Sequence, residues 1–476
     1  MTSGVATAAT TALPRDVRAP LSGLMIAQFV AGLSATIVAT SIPTVMRSLE
    51  GAAGLSTWLV AATILGNTAT TPLWGRLADL VAPKRILQSA IAVFVAGSVL
   101  AALAPSTAVL LTARAVQGIG LGGTAAVSMA AVALLVPLRE RGRVNGSLQA
   151  LQTSATILGP IVGGLVVQSL GWRWCFVVAL PLALASFAVL TATLHVRLPV
   201  TARGGRTDYA GALLIATGVP SALIALTLLG EGSFGTALLA FAAFGALALI
   251  ALVIVELRVA APIIPLRLLG GRVTLVCTVA ALLLGSTLFG GSVFVTQYLQ
   301  IGLGIDPAPA GLLLAPLAVG AVAASWFAGR RITRTGRLKG VLLLAASAML
   351  LGNALLALAP LAPLPLALGG ALLLAAGLGM TLQNLVLAAQ TVAPLGRTGS
   401  VSAAVVFFFT LGGTAGLVGY GAALSARLSV LTRAGASEAE AYALGLPLVF
   451  ALSAAAAGVA LGALLLLPRV RLRDLR

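Results

Sequence analysis

Charged side chains are scarce in this chain: Asp, Glu, Lys and Arg make up 8% of its 476 residues, whereas a soluble globular domain carries about 25%. Histidine occurs once, and the two cysteines, Cys175 and Cys277, lie in separate apolar runs. These shortages argue against a structural disulfide and against a Cys/His metal site. No metal and no cofactor are expected.

Long apolar runs take the place of charge. Hydrophobic residues make up 59% of the chain, and runs of eighteen or more apolar residues recur from end to end, each long enough to cross a bilayer as a helix. Alternating segments of about ten residues, which are typical of barrel strands, are missing. We therefore predict an all-α polytopic membrane protein with fourteen spans.

The excess of positive charge predicts an orientation. The 29 Lys and Arg residues outnumber the 11 acids and give a net charge of +18. They stand singly or in small groups between apolar runs, without interleaved aromatic residues, so a nucleic-acid surface is not expected. With fourteen spans, most of them fall in loops on one side, which the positive-inside rule makes cytoplasmic. Both termini are then expected on that side.

A charged turn recurs in the two parts of the chain. Segment 75–87 joins the second and third spans, and segment 329–339 joins the tenth and eleventh. The repeat predicts two parallel halves around a central cavity, which is a known transporter architecture. The expected domains are a tail 1–20, a six-helix bundle 21–200, two inserted helices with an interfacial linker 201–272, a six-helix bundle 273–467 and a tail 468–476.

Five short motifs carry a resemblance to a known family. They are the loop 75–87, segment 36–43 in the first span, 114–120 in the fourth, 159–164 in the fifth and 171–174 before the sixth. In their order along the chain and at these spans, they resemble motifs of the major facilitator superfamily, in particular of its fourteen-span drug:proton antiporter branch. The loop departs from the family pattern in two places, where Leu80 replaces an arginine and Ala82 a glycine.

The resemblance implies a fold and a function. The fold would be the major facilitator fold, two six-helix bundles plus two inserted transmembrane helices, in a bacterial-type plasma membrane. The protein would be a secondary active transporter rather than an enzyme. It would export small lipophilic or amphiphilic compounds by alternating access, as in multidrug efflux and drug resistance. Its partners would be the lipid bilayer, a small-molecule substrate and, for an antiporter, protons; a monomer is expected.

Two of the motifs suggest conformational roles. A carboxylate at a helix end, such as Asp79, can hold the N-terminus of another helix, and the resemblance makes it a latch on the cytoplasmic side. The alternative is a solvated acid that balances nearby bases. In the fifth span, small or bending residues let helices slide or pack closely. The candidates for these roles are Gly75, Asp79, Lys84, Arg85, Gly159, Pro160, Gly163 and Gly164.

Three residues are candidates for coupling or for lining the cavity. Arg114 lies deep in a span, with Gln117 one turn along on the same face. An intramembrane charge is a functional candidate by default, and the alternative is a clamp between helices of one half. Ser34 stands where the antiporter branch has an aspartate, and the predicted map places no acid mid-membrane. Proton coupling therefore stays open, and Arg114 favours a neutral amphiphilic or anionic cargo.

Polar and aromatic residues within spans are candidates for substrate contact. Each is also a candidate for helix–helix hydrogen bonding or packing, which is the commoner role of such residues. Gln383 and Asn384 are the strongest pair, because small residues precede them in the twelfth span. The full set is Gln28, Trp58, Asn67, Gln383, Asn384 and Phe407.

Three other functions compete with drug efflux. A facilitator, or a lipid or metabolite exporter with altered proton coupling, is the alternative within transport. An integral-membrane prenyl- or glycosyltransferase would need acidic clusters for metal–diphosphate or sugar chemistry, and the sequence has no D-x-x-D pattern. A sensor or scaffold would be supported by an appended soluble domain, and no segment is long enough for one. Transport is therefore the prediction.

Overall fold

The computed structural model describes residues 15–38, 41, 44–45, 48–49, 55–195, 208–230, 235–259, 262–264, 267, 270–305, 307–358, 364–394 and 397–468. These ranges hold sixteen α-helices and no β-strand. The helices are α1 Arg15–Thr36, α2 Leu55–Leu80, α3 Pro83–Ala102, α4 Thr107–Leu135, α5 Leu138–Ser169, α6 Trp174–Val177, α7 Ala179–Thr193, α8 Tyr209–Gly230, α9 Thr236–Arg258, α10 Arg272–Gln297, α11 Pro307–Thr335, α12 Leu338–Ala357, α13 Leu364–Gly379, α14 Leu382–Gln390, α15 Thr398–Arg433 and α16 Glu438–Leu465.

Helix ends follow local chemistry. The side chain of Ser106 caps the first turn of α4, and Ser437 and Glu440 form a reciprocal capping box at the start of α16. Pro83 occupies the first position of α3, where its missing N–H has no intrahelical partner to lose. Between α11 and α12, Gly336 adopts φ +68, a left-handed backbone that glycine reaches without a Cβ clash.

Ten helical segments in the described ranges are long and apolar enough to cross a bilayer, and two shorter apolar helices accompany them. An α-helix can span hydrocarbon because it satisfies its own backbone hydrogen bonds. Large apolar side chains also cover outer surfaces, as at Leu239 and Leu247 of α9, both about two-thirds exposed. The protein is thus a multi-pass integral membrane protein, as predicted, while the number of fourteen spans stays a prediction.

The helices pack into two groups with a pair beside them. In the first bundle, α2 and α3 pack on α4, and α5 and α7 pack on α1. In the second bundle, α15 and α16 pack on α10, and α13 and α16 pack on α12. Helices α8 and α9 pack on each other and form the inserted pair. The order of these groups along the chain is first bundle, inserted pair, second bundle.

The two bundles meet mainly along two helix pairs, α2 with α15 and α5 with α11, and smaller contacts join α4 to α15 and α5 to α14. Small residues let α5 and α11 approach closely: a Cβ on Gly329 would lie 2.5 Å from the carbonyl oxygen of Gly142. Ser325 Oγ donates to the Gly146 carbonyl at 3.0 Å. Close backbone approach through small residues is a usual basis for helix association in membranes.

The inserted pair packs against both α2 and α15. Buried apolar residues of α8, such as Ile215 and Val219, form one cluster with Ala404 and Phe407 of α15. Leu65 of α2 and other partly buried residues complete that cluster. The pair therefore lies over the line where the first bundle meets the second.

Candidate functional site

The carboxylate of Asp79 joins the end of α2 to the beginning of α15. Its Oδ1 accepts the backbone N–H of Gly399 at 2.8 Å, and its Oδ2 accepts the backbone N–H of Ser400 at 2.8 Å. Ser400 Oγ donates to Oδ2 at 2.5 Å. Both N–H groups belong to the first turn of α15, where backbone donors lack intrahelical acceptors. Asp79 is 4% exposed, so water competes little for this contact.

Glycine permits the same two helices to touch. A Cβ on Gly75 would lie 2.1 Å from Ala403 Cβ and 2.9 Å from the Gly399 carbonyl oxygen. Gly75 is buried, whereas two other residues of the loop motif are more accessible: Lys84 is half-buried and Arg85 is exposed. The described contacts between the bundles thus include this α2–α15 contact, which is built from Gly75 and Asp79.

The small residues of α5 lie within the first bundle. A Cβ on Gly159 would lie 2.0 Å from Thr36 Oγ1 of α1, and Gly163 is buried with its carbonyl near Cys175 Sγ. Gly164 has nothing within 4 Å of an added Cβ. The side chain of Pro160 lies outside the described residues. At Gly159 the small residue thus permits a close approach of α5 to α1, which is packing within one bundle.

Arg114 is held inside the first bundle. Its Nε donates to the Leu59 carbonyl at 3.1 Å, and its Nη1 donates to Gln117 Oε1 at 2.9 Å. Gln117 Nε2 donates in turn to Ser98 Oγ at 2.8 Å, and the guanidinium lies 5.9 Å from the Phe176 ring centroid. Arg114 is 2% exposed. Its position differs from the expected cavity wall and corresponds to the alternative, a clamp that joins α2, α3 and α4.

Ser34 is buried on α1, and its Oγ has no hydrogen-bond partner among the described residues. Gln28, on the same helix, also has a buried side-chain oxygen without a partner there. Unpaired buried polar atoms are uncommon in folded proteins. The position that carries an acid in the antiporter branch therefore holds a neutral hydroxyl that makes no described contact.

The other polar candidates divide into paired and unpaired groups. Asn67 Oδ1 accepts from Thr71 Oγ1 at 3.1 Å, and Asn384 Nδ2 donates to the Met380 carbonyl at 2.7 Å. Gln383 Oε1 is buried without a partner among the described residues. The side chain of Trp58 lies outside those residues. Gln383 stands two residues after the break between α13 and α14, where the helix ladder is interrupted.

Phe407 is buried where the inserted pair covers α15. It is 3% exposed and belongs to the apolar cluster shared with Ile215 and Val219 of the inserted pair. Its ring meets Phe408 edge-on, at 5.2 Å between centroids. In this structure the side chain packs under α8, which corresponds to the packing role given as the alternative to substrate contact.

Two connections between the bundles were not predicted from the sequence. Gln390, at the end of α14, donates to the Met129 carbonyl of α4 at 3.4 Å and, within its own bundle, to Ser402 Oγ at 2.8 Å. The Ser325–Gly146 hydrogen bond is the other. Neither pair stands in a recognisable motif, and partners far apart in sequence carry no local signal. The glycines of segment 142–146 and Gly329 are the sequence features that could have suggested a close contact between α5 and α11.

Comparison with known proteins places this arrangement in a family. The family described as Major Facilitator Superfamily matches residues 24–417. An uncharacterized MFS-type transporter of Mycobacterium tuberculosis is 33% identical over 411 residues, which are 84% of this chain and 58% of the relative. The chain thus spans little more than half the length of that relative.

Two further proteins are similar over most of the chain. The multidrug transporter protein MdtP of Bacillus subtilis is 28% identical over 416 residues, covering 86% of this chain and 75% of MdtP. The crystal structure of the human organic anion transporter MFSD10 matches with a TM-score of 0.66 over 93% of this chain and 100% of that one. Identity to MFSD10 is 15%, so this match bears on the fold alone.

Proposed function

Because the chain belongs to the major facilitator superfamily, and so is a membrane transporter rather than an enzyme, we propose that it is a secondary active exporter of small lipophilic or amphiphilic compounds. The naming of the Bacillus relative as a multidrug transporter supports export of such compounds. Alternating access requires that contacts between two bundles form on one side and break in each cycle. The Asp79 contact is the observation that best supports this mechanism.

Asp79 suits a reversible contact between bundles. A carboxylate gains energy from the partial positive charge of a helix N-terminus, and the three hydrogen bonds are charge-assisted. Gly75 serves the same contact by allowing the helices to touch. Lys84 and Arg85 would complete the cytoplasmic face of this gate, and Gly159, Pro160, Gly163 and Gly164 would let α5 move against α1.

The cargo is proposed to be neutral or anionic. Five glutamines on four different helices, α1, α5, α10 and α14, have buried side-chain oxygens without a partner among the described residues. Such oxygens can accept hydrogen bonds from a cargo but cannot neutralise a cation. They belong to Gln28, Gln149, Gln297, Gln383 and Gln390.

The protein is further proposed to cross the membrane fourteen times. This number results when α6 with α7, and α13 with α14, are each counted as one interrupted span. With the basic loops inside, both termini would be cytoplasmic and the α2–α15 contact would close the cytoplasmic side of a bacterial-type plasma membrane. A monomer suffices for this arrangement, and drug resistance would be its physiological result.

Transport in proteoliposomes under imposed pH and voltage gradients tests the proposal. The panel contains a neutral amphiphile, an organic anion and a permanent organic cation, with protein-free vesicles as blanks. We expect gradient-driven movement of the first two and little of the third. Robust proton-dependent export of the cation would contradict the proposed cargo class, and no movement of any compound would contradict efflux.

A pair of matched variants tests the cargo site. Gln383→Leu removes a buried oxygen beside the α13–α14 break, and such broken helices often border transporter binding sites. Asn353→Leu removes a comparable unpartnered oxygen on α12. We expect the KM for cargo to rise in the first variant and to stay unchanged in the second. Equal effects in both variants would indicate a general loss of packing.

The alternative function is a facilitator, or a lipid or metabolite exporter, with altered proton coupling. The neutral Ser34, at the position where the antiporter branch has an acid, is the observation that favours it. The same vesicle experiment decides between the two, because a facilitator dissipates a cargo gradient without responding to an imposed pH gradient.

A further inference from the structure

Two acids of the inserted pair are buried at the end that meets α2. Glu256, in the last turn of α9, is 1% exposed, and Asp208, immediately before α8, is 6% exposed. Acidic side chains are almost never this buried unless they are paired. The burial of these two acids in the inserted pair therefore needs a physical explanation.

Each of these carboxylates has one satisfied oxygen and one unsatisfied oxygen. Asp208 Oδ1 accepts the backbone N–H of Gly211 at 2.8 Å, and Glu256 Oε2 accepts that of Ile264 at 3.2 Å. Asp208 Oδ2 and Glu256 Oε1 are buried and have no hydrogen-bond partner among the described residues. Burying an ionised oxygen without a partner is costly, and such groups usually take up a proton instead.

The two unsatisfied oxygens face the same point. A Cβ placed on Gly211 would lie 2.5 Å from Asp208 Oδ2 and 3.0 Å from Glu256 Oε1. Two carboxylates that share a site cannot both ionise cheaply, so one of them tends to hold a proton. Because Gly211 has no side chain, both oxygens can reach this space.

Charges on the neighbouring elements connect the pair to the α2–α15 contact. The Arg76 guanidinium of α2 interacts electrostatically with Asp79, Glu256 and Arg397, and its buried Nε has no partner among the described residues. Arg258 and Arg267 are exposed nearby, and Arg267 donates to the Leu257 carbonyl. The group therefore comprises three buried acids, the buried Arg76 and the half-buried Arg397, and one proton makes it neutral. Its members are Asp79, Asp208, Glu256, Arg76 and Arg397.

We propose that Glu256 is a proton-binding site on the inserted pair, with Asp208 as the neighbouring acid that shares its space, and that Arg76 transmits the charge state of Glu256 to Asp79. When the site is protonated, Arg76 interacts mainly with Asp79. When the proton leaves, the second negative charge draws Arg76 toward Glu256 and changes the electrostatic support of the Asp79 contact. The proton site stands on its own; its effect on transport rests on the proposed exporter function.

Infrared difference spectroscopy of the purified protein across a pH titration tests the site without any cargo. We expect a carboxylic-acid carbonyl band that disappears as pH rises, is lost in Glu256→Gln and shifts in Asp208→Asn. Both variants keep an oxygen for their backbone donor. Glu140→Gln, which alters a half-buried acid in the first turn of α5, is the control and should leave the band unchanged. Thermal unfolding of each variant checks folding.

The link to the bundles is measured by spin-label distances. Labels at Ser89→Cys and Arg337→Cys, both exposed, report separation of the bundles, since the native cysteines are buried. We expect a pH-dependent distance distribution that loses its pH dependence with Glu256→Gln. An unchanged carbonyl band in both acid variants would overturn the proton site. A lost band with unchanged distances would overturn the Arg76 link, and neither result bears on efflux itself.

Discussion

Asp79 accepts the backbone N–H of Ser400, a residue 321 positions further along the chain, at 2.8 Å. A side chain of the first bundle thereby caps the first turn of a helix in the second bundle. An N-terminal cap is usually supplied by a neighbouring residue and contributes about 0.5–2 kcal/mol. Here the same chemistry joins two separate groups of helices, and its strength determines how readily they part.

Replacing Asp79 with Asn should weaken the α2–α15 contact. The amide keeps one acceptor oxygen but loses the negative charge, and hydrogen bonds to charged groups contribute about 1.5–3 kcal/mol. Since about 1.4 kcal/mol is a tenfold change in an equilibrium, we expect the separated population to rise by about tenfold. Spin labels on Ser89→Cys and Arg337→Cys measure this population. Ser400→Ala, which removes one of the three hydrogen bonds, should give a smaller shift in the same direction.

Adding one methyl group at Gly75 should push the two helices apart. Its Cβ would lie 2.1 Å from Ala403 Cβ, and overpacking of this kind costs about 1–3 kcal/mol. Gly462→Ala on α16 is the matched control, because nothing lies within 4 Å of its Cβ. The double variant Gly75→Ala/Ala403→Gly should recover part of the loss. Thermal unfolding and the spin-label distance report the two effects, and equal behaviour of Gly75→Ala and Gly462→Ala would contradict the close contact.

Truncating Arg114 should destabilise the first bundle rather than change cargo selection. Arg114→Ala leaves the Leu59 carbonyl and Gln117 Oε1 without their donor, and each buried group left unpaired costs about 1–3 kcal/mol. Adding Gln117→Leu removes one of those unpaired groups, so the double variant should lose less than the sum of the single losses. Unfolding temperature and KM are measured together. An altered KM at unchanged stability would place Arg114 in the cargo site.

Introducing an acid at Ser34 should create a pH-dependent defect. The site is buried and its hydroxyl has no described partner, so a carboxyl there is tolerated only when protonated. The folded protein would then hold a proton that the unfolded chain releases, so stability relative to the parent should fall as pH rises. Ser34→Asn should show no such trend. In transport, Ser34→Asp should change the pH dependence of turnover if this position can couple protons.

The sequence was sufficient for the membrane class and marked Asp79 as a residue that could hold a helix N-terminus, but it identified neither the partner residues on α15 nor the faces of the helices. Apolar runs predict spans because hydrocarbon excludes unpaired backbone groups. They do not predict rotation about the helix axis, because lipid and protein interior are equally apolar. For this reason Phe407 lies under α8, Gly159 meets α1 and Arg114 points into its own bundle. Asp79 was identifiable because its charge marks a helix end.

The inserted pair lies over both α2 and α15, so any parting of these helices must also uncover apolar surface such as Phe407. Lipid chains rather than water are available to cover that surface within a bilayer. The rate of the motion should therefore depend on acyl-chain order, and turnover compared in saturated and unsaturated lipids measures that dependence. In this protein we therefore expect the order of the lipid chains to limit the rate of the transport cycle.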